Sequence, residues 1–182
     1  MALSRILAVA VLLTVLAFPG IAGAAQRDKP TTRNATPQAK APTPLAVAAD
    51  VGRRYWGAVP CQGQVKVLTQ RPVAAGLEPD ADAWATFDTP LGANNLAAPA
   101  GSYTNCTITF ATWRWPTSAS MREDWDMLCT TMVHELGHLL GRQHDSTPSS
   151  IMAPVFTDYS SEPSICRSSR PSRAARSSRA HR

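Results

Sequence analysis

Three of the four histidines in this 182-residue chain lie within twelve residues, 134–145, and their spacing strongly constrains the fold. The stretch reads HELGHLLGRQHD. On a helix, His134 and His138 project from one face, so both imidazoles can bind one metal ion. Glu135 lies beside that face, where its carboxylate can hold a metal-bound water instead of the metal. The spacing therefore predicts a helix that carries a metal site.

The residues that follow supply a third ligand. Gly141 enters the left-handed region at little cost and is typical of a helix end. A sharp turn there lets His144 return to the metal, and three nitrogen ligands with one open position indicate a catalytic zinc. Met152 fits a methionine turn beneath the metal. The pattern predicts Zn²⁺ as the cofactor, the three histidines as its ligands and Glu135 as the general base.

Together these residues resemble the signature of the metzincin clan of zinc metalloproteases. The matching positions are His134, Glu135, His138, Gly141, His144 and Met152. Within the clan, residues 152–156 are most similar to the matrixin type, although Asp145 stands where matrixins usually carry serine and is more usual in the adamalysin branch. The resemblance implies an α+β fold with a short twisted mixed sheet packed on the active-site helix. It also implies a secreted zinc metalloendopeptidase acting on peptide or protein substrates.

The resemblance also assigns roles around the metal. Pro154, Val155 and Phe156 are expected to line the pocket for the substrate side chain just past the scissile bond, with an extended substrate along the sheet edge. Tyr159 is a weak candidate for stabilising an oxyanion, because clan members place such a tyrosine where this chain has Pro154. The alternatives are an inactive zinc-binding homologue that acts as a binding protein, and a hydrolase of small amides. The intact Glu135 favours the protease.

The N-terminal residues predict export. Residues 1–25 combine Arg5, an apolar run at 6–18 and a small-residue cleavage pattern at 22–24, which together indicate a signal peptide. An uncleaved anchor is the alternative, but the apolar run is short for a bilayer, so stable membrane insertion is not expected. Residues 26–42 predict a flexible leader, because they contain almost no large apolar side chain. This leader contains no cysteine, so the inhibitory thiol of matrixins is not available there.

Residues 43–166 are expected to form one catalytic domain. Thr43 and Pro44 are typical of a helix start, and Gly57 of its end. Residues 91–101 predict a loop, because they are rich in Gly, Asn, Pro and Ala. Apolar patterning predicts strands at 64–69, 83–88 and 103–113.

A single active-site helix is predicted from Met121 to Leu140, about 30 Å long. Ser120 and Glu123 match a capping box at its start. Acidic residues in its first turn suit the helix dipole, which is a simpler account than a calcium site. Its buried face is expected to contain Trp125, Leu128, Met132, Leu136 and Leu139. Just before this helix, Trp113 and Trp115 are expected to pack in the core or the cleft wall instead of binding substrate.

The four cysteines predict two disulfides in an exported domain, and three pairings are possible. The favoured pairing joins Cys61 to Cys106 in the sheet region and ties Cys129 on the active-site helix to Cys166. Zinc binding by these cysteines is not expected, because none is spaced as a CxxC pair.

Residues 167–182 contain six arginines and no acidic residue, so this segment accounts for more than the formal net charge of +5. The composition predicts a disordered Arg/Ser-rich tail. Nucleic-acid binding is not predicted, because no recognition fold accompanies the charge. A monomer is expected.

Overall fold

The computed structural model describes residues 41–72, 80–156 and 160–171, all within one compact unit, residues 40–182. The predicted signal peptide, almost all of the leader, Tyr159 and most of the Arg-rich tail lie outside the described residues. Within the described part of the chain, every helix is too short or too polar to span a bilayer.

The first helix, α1, comprises Pro44–Trp56 and has the predicted ends. The Thr43 hydroxyl accepts a hydrogen bond from the Ala46 N–H at 3.2 Å, and Gly57 ends the helix with a φ of 59°. Gly52 allows α1 to pack closely on the active-site helix, because a Cβ there would collide with the Leu136 side chain.

The described sheet has three strands: β1 (Lys66–Gln70), β2 (Ala83–Asp88) and β3 (Thr104–Ala111). Their order is β1-β3-β2, with β1 parallel and β2 antiparallel to β3. The central strand buries Cys106, Ile108 and Phe110, which is the predicted alternation. This small mixed sheet packed on helices confirms the expected α+β, metzincin-like fold.

The prediction of one helix over 121–140 is wrong. The structure has two helices, α2 (Ser118–Glu123) and α3 (Trp125–Leu139), separated at Asp124 with φ −99° and ψ 38°. The break has a tertiary cause: the Asp124 carboxylate accepts hydrogen bonds from the Trp115 indole N–H at 3.0 Å and from Arg114 at 3.2 Å.

The predicted capping box is also displaced by one turn. Thr117 and Ser120 cap α2 reciprocally, with the Thr117 hydroxyl accepting from the Ser120 N–H at 3.1 Å. Ser120 is therefore the last residue of the box and not its first. All the apolar residues predicted for the buried face of α3 are buried: Trp125, Leu128, Met132, Leu136 and Leu139.

The two tryptophans before α2 have different environments. Trp115 is buried in the core, as expected. For Trp113 the expectation is wrong: it is 52% exposed and does not line the cleft, and its indole N–H donates to the Ala81 carbonyl oxygen at 3.2 Å. This hydrogen bond holds Trp113 against the segment that leads into β2.

Two disulfides have the favoured pairing, Cys61–Cys106 and Cys129–Cys166. The second joins α3 to a short C-terminal helix, α4 (Ser164–Ser168). The Trp125 indole N–H donates to the Cys166 carbonyl oxygen at 2.8 Å, which strengthens the same contact. α4 includes Arg167, and Arg170 pairs with Asp126, so contacts with the domain continue past residue 166 to Arg170.

Candidate metal centre and active site

The C-terminal end of α3 turns the chain back toward the helix. Gly141 has a φ of 80°, its N–H donates to the His138 carbonyl at 2.9 Å, and the Arg142 N–H donates to the Gly137 carbonyl at 2.9 Å. This pair of hydrogen bonds is a Schellman motif, in which glycine readily adopts the left-handed conformation. The reversal carries His144 back beside the two histidines of α3.

The three histidines converge on one point. The Nε2 atoms of His134 and His138 are 3.0 Å apart, and those of His138 and His144 are 3.1 Å apart. One ring nitrogen from each side chain lies within 4.8 Å of the others. His134 is buried, His138 is half-buried and His144 is exposed, so the cluster is open to solvent on one side.

Backbone carbonyls determine how two of these rings are protonated. His134 Nδ1 lies 2.8 Å from the Ile151 carbonyl oxygen, and His138 Nδ1 lies 2.8 Å from that of Arg142. A carbonyl only accepts, so each Nδ1 carries the proton and each Nε2 presents a lone pair. Facing lone pairs this close repel one another unless a cation lies between them. The site therefore fits a metal ion, and its three imidazoles fit zinc.

Burial also favours the neutral ligands that a metal requires. Desolvation lowers the pKa of His134 to about 4, despite the opposing hydrogen bond to Ile151. Desolvation likewise lowers the pKa of His138. Both shifts favour the uncharged form of these rings.

Glu135 lies in the same cleft as the histidines but remains separate from their cluster. It is buried, and burial raises the pKa of its carboxyl to about 8, although a backbone hydrogen bond from Ala85 on β2 opposes this shift. Its Oε2 has no hydrogen-bond partner among the described residues. A buried carboxylate oxygen without a partner, beside a metal-binding cluster, is available to hold a water or a proton.

Met152 lies beneath this site. A Cβ built on Gly137 would be 2.5 Å from Met152 Sδ and 2.9 Å from Trp56 Cζ2, so both side chains pack directly on the helix backbone. The Trp56 indole N–H also donates to the Val133 carbonyl at 2.8 Å. These contacts place α1 and the Met152 segment against the part of α3 between its two histidines.

The loop after His144 explains the unexpected aspartate. Asp145 is exposed, and its side chain accepts a hydrogen bond from the Thr147 N–H at 2.6 Å. Its own N–H donates to the Met152 carbonyl at 3.0 Å. Asp145 therefore stabilises the loop that joins His144 to Met152, and the loop does not depend on serine at this position.

A cleft of about 680 Å³ extends across the site, between α3, β2 and residues 154–156. Pro154, Val155 and Phe156 all line it, and the Phe156 ring meets the His134 ring edge-on with centroids 5.5 Å apart. β2 is an edge strand of the described sheet. Phe87 exchanges hydrogen bonds with Asn94 and the Ala85 N–H donates to Glu135, which leaves the start of β2 for pairing with an extended peptide.

A comparison with known families identifies the domain. The matrixin family model matches residues 77–167, half of the chain, and the match includes β2, the three histidines and Met152. The chain belongs to the matrixin family. Searches of curated proteins and of solved structures gave no match. This matrixin match supports a zinc metallopeptidase-like domain, and the three-histidine cluster could hold the metal that the family binds.

In this matrixin domain, the sequence pattern located the histidines, Glu135, Gly141 and Met152, and the structure brings them together. Sequence reasoning missed the carbonyl oxygens of Ile151 and Arg142, since backbone acceptors leave no trace in residue identity. It also missed Gly137 and Trp56. An isolated glycine inside a helical pattern was the available signal, because such a glycine commonly marks a close packing contact.

Proposed function

We propose that this chain is a secreted, zinc-dependent metalloendopeptidase. The observation that carries the proposal is the position of Glu135, whose buried carboxylate has an unpartnered oxygen in the cleft that also contains the three histidines. The metal cluster alone would suit a binding protein. A carboxyl group next to it is the group that hydrolysis additionally requires, and a bound cation would favour its ionised form against the effect of burial on its pKa.

In the proposed mechanism, His134, His138 and His144 hold zinc. When bound, zinc lowers the pKa of a water and polarises a carbonyl group. Glu135 accepts a proton from the attacking water and transfers it to the leaving amine nitrogen. The peptide extends along the start of β2, before the backbone groups that bond Glu135 and Asn94, and Pro154, Val155 and Phe156 contact the side chain that follows the cleaved bond.

The wider organisation is part of the same proposal. Residues 1–25 act as a signal peptide, 26–42 as a leader, and 43–166 as the catalytic domain, followed by the basic C-terminal segment. The two disulfides suit an oxidising extracellular environment. The domain acts as a monomer on peptides or proteins and does not bind nucleic acid.

The deciding experiment compares the mature wild-type chain with Glu135→Gln on casein, each with and without a zinc chelator. Glutamine retains the shape of the side chain but cannot accept the proton, so the variant should bind zinc and lose cleavage. Elemental analysis measures the zinc, and gel electrophoresis measures cleavage. Wild-type activity should disappear with chelator and return with zinc.

The alternative is a zinc-binding homologue without catalytic activity. It predicts a folded wild type that contains zinc and cleaves neither casein nor a broad peptide mixture. Loss of zinc from Glu135→Gln would contradict the role assigned to Glu135, because the three ligands are unchanged in that variant.

A further inference from the structure

The cleft continues past the histidines along one side of α3. Thr131 and Met127 also line it, one and two turns before Glu135, or about 6 and 12 Å along the helix axis. On the opposite side, Asp82 lines the cleft three residues before Ala85, about 10 Å along the strand. A long side chain entering beside Glu135 could therefore extend toward a second set of polar groups.

This far part of the cleft carries excess negative charge. Arg114 Nη1 lies 3.4 Å from Asp82 Oδ2, and Arg114 Nη2 lies 3.2 Å from Asp124 Oδ2. Asp80 also lines the cleft and has no ion pair among the described residues, so the carboxylates of this region outnumber its one guanidinium. We call Asp80, Asp82 and Arg114 the acidic end of the cleft. Burial is the main reason that the pKa of Asp82 is raised; Arg114 opposes this shift, and Asp124 and Asp80 add to it.

Two polar atoms in this region lack hydrogen-bond partners among the described residues: Thr131 Oγ1 and Asp82 Oδ1. Thr131 is only 4% exposed and lies on the cleft wall. Its neighbour Thr130 is different, because the Thr130 hydroxyl donates to the Asp126 carbonyl at 2.7 Å. A buried hydroxyl and a buried carboxylate oxygen without partners are both able to accept a hydrogen bond from a ligand.

We propose that the acidic end of the cleft binds the side chain of a lysine or arginine next to the scissile bond of the substrate. This inference rests on the proposed endopeptidase function. A cationic tip can donate to Asp82 Oδ1 or Thr131 Oγ1, while its methylene stem contacts Met127. An acidic substrate side chain fits poorly, because Arg114 already pairs with two carboxylates.

The test measures recognition separately from catalysis. Zinc-loaded Glu135→Gln is titrated with two peptides that are identical except for lysine or norleucine beside the cleavable bond. Norleucine has a similar unbranched stem without the charge. The lysine peptide should bind about tenfold more tightly, the effect of one charge-assisted hydrogen bond. This preference should weaken in high salt, because Asp82 is partly exposed.

The variants Asp82→Asn and Thr131→Val, made in the same background, should each reduce the lysine preference several-fold. Thr131→Val breaks no side-chain hydrogen bond among the described residues, so it tests the proposal even if Asp82→Asn weakens the fold. Matched controls are Thr130→Val, which changes a threonine outside the cleft lining, and Asp50→Asn, which removes an exposed carboxylate from α1. Both should retain the preference.

Equal binding of the two peptides, or tighter binding of a glutamate peptide, would overturn this inference. So would a lysine preference that neither cleft variant changes. Cleavage of casein by wild type is scored separately, with mass spectrometry to locate the cut bonds. Cleavage without basic residues at those bonds overturns the specificity alone. Lysine-selective binding without any cleavage overturns the endopeptidase function and leaves the cleft as a recognition site.

Discussion

The side chain of Met152 packs against the backbone of Gly137, the residue directly before His138 in α3. Trp56 of α1 reaches the same glycine from another direction. α3 and the loop that contains Met152 are therefore in contact next to the metal site. The position of His144 relative to α3 depends on this contact, because His144 and Met152 belong to one connected loop.

Gly137→Ala should destabilise the domain by about 1–3 kcal/mol, because the new methyl group would overlap Met152 Sδ and Trp56. Zinc affinity should fall as well, since the loop must move away from α3. Denaturant unfolding and zinc titration measure the two effects. Gly101→Ala is the control, because a Cβ there has no atom within 4 Å. Equal stability of the two variants would show that the Gly137 contact is not tight.

Zinc should stabilise the folded wild type by about 2.7 kcal/mol when free zinc is a hundredfold above its dissociation constant. His144→Ala should abolish most of this gain but leave the metal-free chain within about 0.5 kcal/mol of wild type, because His144 is exposed. His134→Ala should also weaken the metal-free chain, since His134 is buried and donates to Ile151. Thermal unfolding with and without zinc distinguishes the two variants, His144→Ala and His134→Ala. A full zinc response from His144→Ala would exclude it as a ligand.

Substitution of both Cys129 and Cys166 with alanine removes their disulfide and should lower the free energy of unfolding by about 2–4 kcal/mol. It should also loosen α4, whose remaining attachment to α3 includes the hydrogen bond from Trp125 to residue 166. Trypsin should then cut at Arg167 faster than in wild type. The matched variant lacks the Cys61–Cys106 disulfide and should lose stability without faster cutting at Arg167. The same cutting rate in both variants would argue against a local effect on α4.

Asp124→Ala should destabilise the domain by about 1–3 kcal/mol, because it leaves the buried Trp115 indole N–H without its acceptor. Arg114 would also lose one of its two carboxylate partners. Asp124→Asn should recover part of the loss, since its amide oxygen can still accept from Trp115. The exposed neighbour Glu123 provides the control through Glu123→Ala. Chemical denaturation measures the free energy of unfolding of the three variants. Similar losses for Asp124→Ala and Glu123→Ala would contradict the proposed role of the Asp124 contacts.

Much of the fold could be predicted from local sequence patterns. The ends of α1 follow from Thr43, Pro44 and Gly57, and the buried alternation of β3 follows from Cys106 to Phe110. Those signals act over a few residues, so no distant partner can easily change them. The prediction failed at Asp124, where the helical pattern continues but the carboxylate is engaged by residues nine and ten positions earlier. That contact depends on how the end of the sheet packs, which residue identity alone does not encode.

For the metal site, too, some features follow from the sequence and others from the tertiary structure. By itself, the sequence determined which residues could meet at a metal, because helical spacing places His134 and His138 on one face and Gly141 permits the reversal toward His144. Only the tertiary structure decided how the rings are held and what surrounds them. The carbonyls that orient the imidazoles come from the backbone of the following loop. The Thr131 hydroxyl, which has no partner among the described residues, lines the cleft only because β2 packs beside α3. Hydrogen bonds from backbone groups and burial between elements depend on distances across the fold, which local sequence does not specify.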